Sequence, residues 1–317
     1  MPAVTASPRF ALHLSILLTA CLSLACLLPT GQPAHAADAP TDGVPAFGHV
    51  FVVVLENKEL DRIHRRADAP YLNQLAASYG LATRYYGVSH PSLPNYLAMI
   101  SGDTFGVESD CEDCTQSAPT LADQVEASGR SWKGYFESMP RPCYVGSTRD
   151  GLYAQKHNPF IYFDGIRKDP ARCERIVPFD HFADDLARGD LPNLVWLGPN
   201  MRSSTHDASV AEGDDWLAAH LPPILASPAF QQDGLLVVTY DEGDTDDGCC
   251  GQRHGGGNIM TVVASPLGKR GFVSATPYNH YSLLRTIEDA WGLEHLGHAA
   301  DPAVKGLSDF FSPPASP

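Results

Sequence analysis

Apolar positions along this chain fall into two rhythms that take turns. Continuous runs rich in valine, "HVFVVVLE" (49–56), "GLLVVTYDE" (234–242) and "NIMTVVASP" (258–266), predict strands buried on both faces. "ATRYYGV" (82–88), "SWKGYFES" (131–138) and "LPNLVWLGPN" (191–200) predict three further strands. Between them the spacing turns helical, in "APYLNQLAASYG" (69–80), "YLAMISG" (96–102), "TLADQVEASG" (120–129) and "FDHFADDLARGD" (179–190). "GDDWLAAHL", from residue 213, predicts a helix start, and "HYSLLRTIEDAWGL" (280–293) a closing helix. Strands alternating with helices predict an α/β domain, three layers deep (α/β/α), around a mainly parallel sheet.

The termini break the rhythm. Arg9, the apolar run "FALHLSILLTACLSLACLL" and the small-x-small tripeptide Ala34-His35-Ala36 predict a secretory signal over residues 1–36, cleaved after Ala36. "LTAC", ending at Cys21, resembles a bacterial lipoprotein cleavage box and stands as the alternative. Residues 37–47 predict a polar linker, 48–311 one domain, and 312–317 a loose tail. No later run reaches the ~20 apolar residues that a spanning helix needs, so a secreted or periplasmic protein without a stable membrane span is expected. Roughly 280 residues suffice for one substantial core.

Charge and cysteines narrow the picture. With 22 Lys+Arg against 37 Asp+Glu, net −15, the chain lacks the clustered cations that a phosphate backbone requires, which excludes nucleic acid as a partner. Cys21 and Cys26 fall in the signal. Cys111, Cys114, Cys143, Cys173, Cys249 and Cys250 form an even set, which predicts disulfides in an oxidising compartment. Cys143 with Cys173 is the favoured pair. Zinc held by Cys111, Cys114, Cys249 and Cys250 is the alternative for the rest.

Candidate chemistry collects at strand ends. The first strand runs out into Glu56-Asn57 and a late one into Asp241-Glu242, while "LPNLVWLGPN" leads to a loop carrying His206 and Asp207. An acid at a strand end is commonly a solvated turn or an N-cap. Two acidic pairs at one edge of one parallel sheet instead predict a ligand site. Their oxygen donors suit one hard divalent cation. Ser92, in "SHPSLPN" (89–95), falls at or just before a helix N-terminus, with Pro94 in the first turn. Serine there is a favoured cap, beside unpaired N–H groups that suit an anion. A hydroxyl becomes a nucleophile only with a base or a metal, and a cation on the strand tips would also polarise a phosphoryl oxygen. Ser92 is therefore expected both to cap and to attack.

Taken in order, "VVVLEN", "HPSLPNYLAMISGDTFG", "THDASVAEGDDWL", "VVTYDEGD" and "HYSLLRTIEDAWGL" resemble the bacterial phosphoesterase family. That family holds secreted acid phosphatases and phospholipases C, within the alkaline phosphatase superfamily. The resemblance spans about residues 48 to 296 and is greatest to short secreted phosphatases, including phosphatidylinositol-3-phosphate phosphatases of pathogenic bacteria. "PSLPNY" is also similar to the "T-F-P-N-H" run of nucleotide pyrophosphatases, where the hydroxyl residue is the nucleophile. The resemblance implies an alkaline-phosphatase-like fold and a phosphoesterase domain over 48–311, cleaving phosphomonoesters through a phosphoserine on Ser92. It implies Asn95 as a phosphoryl-oxygen donor, and Glu56, Asn57, Ser92, Asp241 and Glu242 as the shell of one metal ion. His206 is implied to face the leaving group or the metal. His254, in "RHGGGN", would be a late active-site histidine, followed by glycines that let backbone pass close to substrate. "ENKEL" departs from the "ENHS" or "ENRS" of many relatives, so Lys58 inherits no role. Phospholipase C cleavage of diesters is the alternative activity, although those relatives tend to carry an added domain.

Further polar residues read as structure. His90 is read as packed or capping, and Asp214 and Asp215 as acids in a first helical turn. "DTDDG" (244–248) lacks the spacing of a calcium loop. His280 is open between orienting the site and capping the last helix. "HGGG" is similar to the oxyanion turn of lipases, yet no G-x-S-x-G elbow accompanies it. Two more activities compete with the phosphoesterase reading: a metal-free serine esterase and a non-catalytic binding protein.

Overall fold

The computed structural model describes residues 43–252 and 254–311, together with Ala3. The expected signal (Ala3 apart), residues 37–42 of the linker and the tail lie outside the described residues. The first valine run forms β1 (Val50–Leu55), with every residue buried. Helices α1 (Leu60–Ile63) and α2 (Pro70–Ser78) lead into β2 (Gly80–Tyr86). Next come α3 (Ser92–Ser101), α4 (Leu121–Ala127) and β3 (Trp132–Phe136). A long irregular stretch follows, with single 3-10 turns at Gln155–His157 and Pro159–Tyr162. It ends in the short helices α5 (Asp164–Arg167) and α6 (Pro170–Cys173). β4 (Ile176–Pro178), α7 (Asp180–Arg188) and β5 (Leu194–Gly198) resume the alternation. Then α8 (Val210–Ala226) and α9 (Pro228–Gln231) reach β6 (Leu235–Tyr240). The chain closes with β7 (Asn258–Ala264), β8 (Phe272–Ser274), β9 (Tyr278–Asn279) and α10 (His280–Trp291).

One sheet holds the strands in the order β4-β3-β5-β1-β6-β7-β2-β8, with β9 alongside β2. Neighbours pair parallel except where β7 meets β6 and β2. The mainly parallel α/β expectation therefore holds, with β7 as its exception. Parallel neighbours need a crossover, usually a helix. Among the described residues none lies between Tyr240 and Asn258, so β7 returns directly in the opposite sense. Every residue of β1, β5 and β6 is buried, which requires cover on both faces. Two helix groups supply it: α10 packs on α3, and separately α2 packs on α8.

Three disulfides form, Cys111–Cys114, Cys143–Cys173 and Cys249–Cys250. The favoured pair is present, and local pairing of the remaining cysteines leaves no four-thiol zinc site. Cys143 and Cys173 are 30 residues apart and tie the irregular stretch down just before β4. Closing a loop of that length removes unfolded-chain entropy worth roughly 3–4 kcal/mol. Replacing both cysteines by serine is expected to lower the stability measured by urea unfolding by that order. A loss under ~1 kcal/mol would show the staple to be idle.

Glu288, buried in α10, offers a second test. Its Oε1 accepts from Leu296 N at 2.8 Å, while Oε2 has no partner. Burial, with Asp289 adding repulsion, pushes its carboxyl from 4.5 up to about 8. A raised acid holds more protons folded than unfolded, so its stability contribution is complete below pH 4.5 and is lost as pH rises through about 8. Glu288→Gln is expected to flatten the fall of thermal stability across that window, and an unchanged slope would exclude Glu288 as its source.

Candidate active site

β1 and β6 are parallel neighbours in register, Leu55 opposite Tyr240, so Glu56 and Asp241 emerge side by side at the carboxyl edge of the sheet. Asp241 N donates to Leu55 O at 2.9 Å, and Asn57 N donates to Asp241 Oδ1 at 3.1 Å. Asn57 reaches that position in the left-handed region, φ 56°, which asparagine tolerates. Thr205, which precedes His206, has φ 75°, a strained conformation for a β-branched residue that costs on the order of 1–3 kcal/mol. Its Oγ1 donates to Glu56 O at 2.8 Å, which fastens the His206 loop to the tip of β1.

Ser92 is the first residue of α3 and is buried; Pro91 holds the cap position. Its Oγ lies 3.2 Å from Glu56 Oε2 and 3.2 Å from Glu242 Oε1, and its single proton can serve either. The capping expectation is thus corrected. The hydroxyl points at acids from both strand tips, and Asp110 Oδ1 accepts from Leu93 N at 3.0 Å instead.

Acids crowd this pocket. Glu56 and Asp241 have no solvent exposure, and Glu242 has 6%. Burial pushes the Glu56 carboxyl up to about 7, and burial with repulsion from Glu56 and Glu242 drives Asp241 well above the usual carboxylate range. Asp241 Oδ2 has no hydrogen-bond partner. Buried, mutually repelling carboxylates are costly unless a cation offsets them. That orphaned oxygen, among oxygen donors from three segments, fits a hard divalent ion.

The structure adds residues that sequence reasoning missed. Tyr96, one turn along α3, donates its hydroxyl to Glu56 Oε1. His157 stacks on Tyr96, ring centroids 5.5 Å apart. Its Nε2 is 3.1 Å from Glu56 Oε1 yet forms no well-directed hydrogen bond, an arrangement that suits two groups facing a shared cation. Burial, with Lys156 beside it, holds the His157 ring down at about 4, so the ring is neutral near pH 7. His206 Nδ1 donates to Asp207 Oδ1 at 2.7 Å, which orients the ring, and Nε2 accepts from Lys156 Nζ at 3.2 Å. Ligand atoms of Glu56, His157 and His206 lie within 4.8 Å of one another. The only sequence trace of His157 is a polar Lys-His pair in a stretch with no periodic pattern.

The remaining expected residues sit elsewhere. The Asn95 side chain accepts from Val88 N and Ser89 N and donates to Ser89 O and Pro91 O. An amide has those four hydrogen-bonding positions and no more, so Asn95 shapes the loop entering α3 rather than facing a phosphoryl group. His254 is exposed and makes no hydrogen bond to the acidic cluster among the described residues. The glycines after it pass close to backbone: a Cβ on Gly256 would lie 2.5 Å from Ser89 O. Lys58 Nζ donates to Asn57 O and Thr205 O, at 3.2 and 3.0 Å. His90 donates from Nδ1 to Glu242 Oε2 and from Nε2 to Thr245 O; the Glu242 contact raises its pKa to about 9. His280 donates from Nε2 to Asp241 O at 2.5 Å and so steadies the tip of β6. Asp214 accepts from Tyr71 N and Leu72 N, both at 2.8 Å, and thereby caps α2 from a neighbouring helix.

The fold is shared with proteins of remote sequence. A protein in the alkaline phosphatase superfamily from Vibrio parahaemolyticus superposes with a TM-score of 0.57 at 13% identity, over 86% of this chain and 72% of that one. The Aspergillus fumigatus acid phosphatase is 33% identical over 80% of this chain, which spans 56% of that protein. The phosphatidylinositol-3-phosphatase of Mycobacterium tuberculosis is 34% identical over 81% of each chain. The non-hemolytic phospholipase C of Burkholderia pseudomallei is 23% identical over 70% of this chain and 40% of that one. Relatives are thus fungal as well as bacterial, which widens the expected grouping. The Phosphoesterase family pattern matches residues 62–294, and the chain belongs to that family.

Proposed function

We propose that this chain is an exported, metal-dependent phosphomonoesterase of the acid phosphatase kind, working through a phosphoserine on Ser92. The observation that carries the reading is the seat of Ser92 Oγ, 3.2 Å from Glu56 Oε2 and from Glu242 Oε1. Glu56, Asn57, Ser92, Asp241 and Glu242, with His157 and His206 beside them, would hold one divalent ion. Bound there, the ion supplies positive charge that lowers the serine pKa and steadies charge building on the phosphoryl oxygens.

The chain's own groups perform the remaining steps. Ser92 Oγ attacks phosphorus in line and passes its proton to Glu56 or Glu242. The ester P–O bond breaks, and the departing oxygen takes a proton from solvent; His206, kept neutral because burial lowers its pKa, holds Lys156 through Nε2. Water then attacks the phosphoserine and releases a proton to solvent. Inorganic phosphate leaves, and Ser92 recovers its proton from the carboxyl. Likeness to the mycobacterial phosphatidylinositol-3-phosphatase over 81% of both chains makes phosphoinositides the first natural monoesters to try. Phospholipase C chemistry is the second reading, favoured by relatives of that name; the same serine would serve it.

Ser92→Ala is expected to abolish turnover of p-nitrophenyl phosphate while the circular dichroism spectrum and unfolding midpoint stay unchanged. Near-normal turnover in that variant would falsify the nucleophile assignment. Dialysis against a chelator should likewise stop turnover and lower the thermal midpoint, both restored by a divalent ion. An ion at a hundredfold its Kd stabilises by ~2.7 kcal/mol, so full activity and an unmoved midpoint after chelation would sink the metal requirement.

A further inference from the structure

Beyond the phosphatase reading, on which this rests, the cations around the pocket divide unequally. Lys58 spends its ammonium on the carbonyls of Asn57 and Thr205, and both ring nitrogens of His90 are taken by Glu242 and Thr245. Lys156 differs. Its Nζ lies 2.8 Å from Asp110 Oδ2 and 3.2 Å from His206 Nε2. An ammonium has three protons, so one is left over, and the His206 contact comes from a ring that faces the acidic cluster. The second oxygen of Asp110 accepts from Leu93 N, the residue after the nucleophile, so a single carboxylate ties Lys156 to the first turn of α3. The side chain is 17% exposed, enough to be reached by a ligand.

The chemistry of the pocket gives that cation a task. Glu56, Asp241, Glu242 and Asp110 repel an incoming anion, and a phosphomonoester near pH 7 carries close to two negative charges, a diester one. A divalent ion offsets part of this repulsion; a further fixed cation favours the doubly charged ester over the singly charged one. We infer that Lys156 is a specificity-determining residue that binds a non-bridging phosphoryl oxygen and tunes the site toward doubly charged phosphomonoesters. Asp110 is its positioning residue.

The test uses Lys156→Gln and Lys156→Arg in the metal-loaded protein, with inorganic phosphate as an equilibrium probe by calorimetric titration. Lys156→Gln is expected to weaken phosphate binding tenfold or more and to cut kcat/KM for p-nitrophenyl phosphate by 10- to 100-fold. Lys156→Arg should recover most of both. The ratio of monoester to bis-p-nitrophenyl phosphate turnover should fall in Lys156→Gln by at least tenfold. Unchanged phosphate binding, or equal losses on monoester and diester, would overturn the assignment in favour of a structural role. Failure of the phosphatase reading looks different: wild-type protein that cleaves no phosphomonoester, or Ser92→Ala that still does, while the phosphate titration continues to report on Lys156.

Discussion

Uncompensated negative charge in a dry place is the constraint around which this molecule is arranged. Glu56 and Asp241 lie at the tips of adjacent parallel strands, and register alone sets them side by side. Neither reaches water, and Glu242 nearly does not. Much of the surrounding polar structure makes that crowding bearable. Tyr96 donates to Glu56, Asn57 N to Asp241, His90 to Glu242 and Ser92 to either Glu56 or Glu242. These donors come from helix, turn and loop alike, so the tertiary fold as a whole holds the acids in place. What they leave unsatisfied is an oxygen of Asp241, which has no hydrogen-bond partner.

The scaffold for this is largely legible in the sequence. Valine runs bounded by polar residues announce buried strands, because few other uses exist for six consecutive apolar side chains. The same pattern exposes Glu56 and Asp241 as misfits at strand ends. Orientation is less legible, since β7 and β6 have similar composition and only the missing crossover helix separates antiparallel from parallel. On the histidine side of the pocket only His206, which follows a strand end, is legible. Asp110 comes from the stretch between α3 and α4, and Lys156 and His157 from the stretch between β3 and α5, where neither periodicity nor turn chemistry predicts direction. Disulfides and tertiary packing set their positions. Order along the chain also misleads: His254 falls where a late site histidine belongs yet stands exposed, and Asn95 spends its amide on the loop before Ser92.

Shared family membership and shared fold carry different information. The solved alkaline phosphatase superfamily neighbour agrees in architecture at 13% identity, which speaks for the sheet and its carboxyl edge. The acid phosphatase and phosphatidylinositol-3-phosphatase relatives agree over about four fifths of this chain, and the family match over residues 62–294 takes in Ser92, Asp241 and Glu242. The chain spans only 56% of the fungal enzyme's length, so whatever that longer protein adds lies outside the common domain.

The pairing of β1 with β6 has a consequence for biosynthesis. Asn57 and Asp241, which share a hydrogen bond, are 184 residues apart in sequence. Long-range pairings of this kind form late, after a large loop-closure cost has been met. The pocket's acids therefore come together only once the first and last portions of the chain have met, and a nascent or half-threaded polypeptide presents no assembled site.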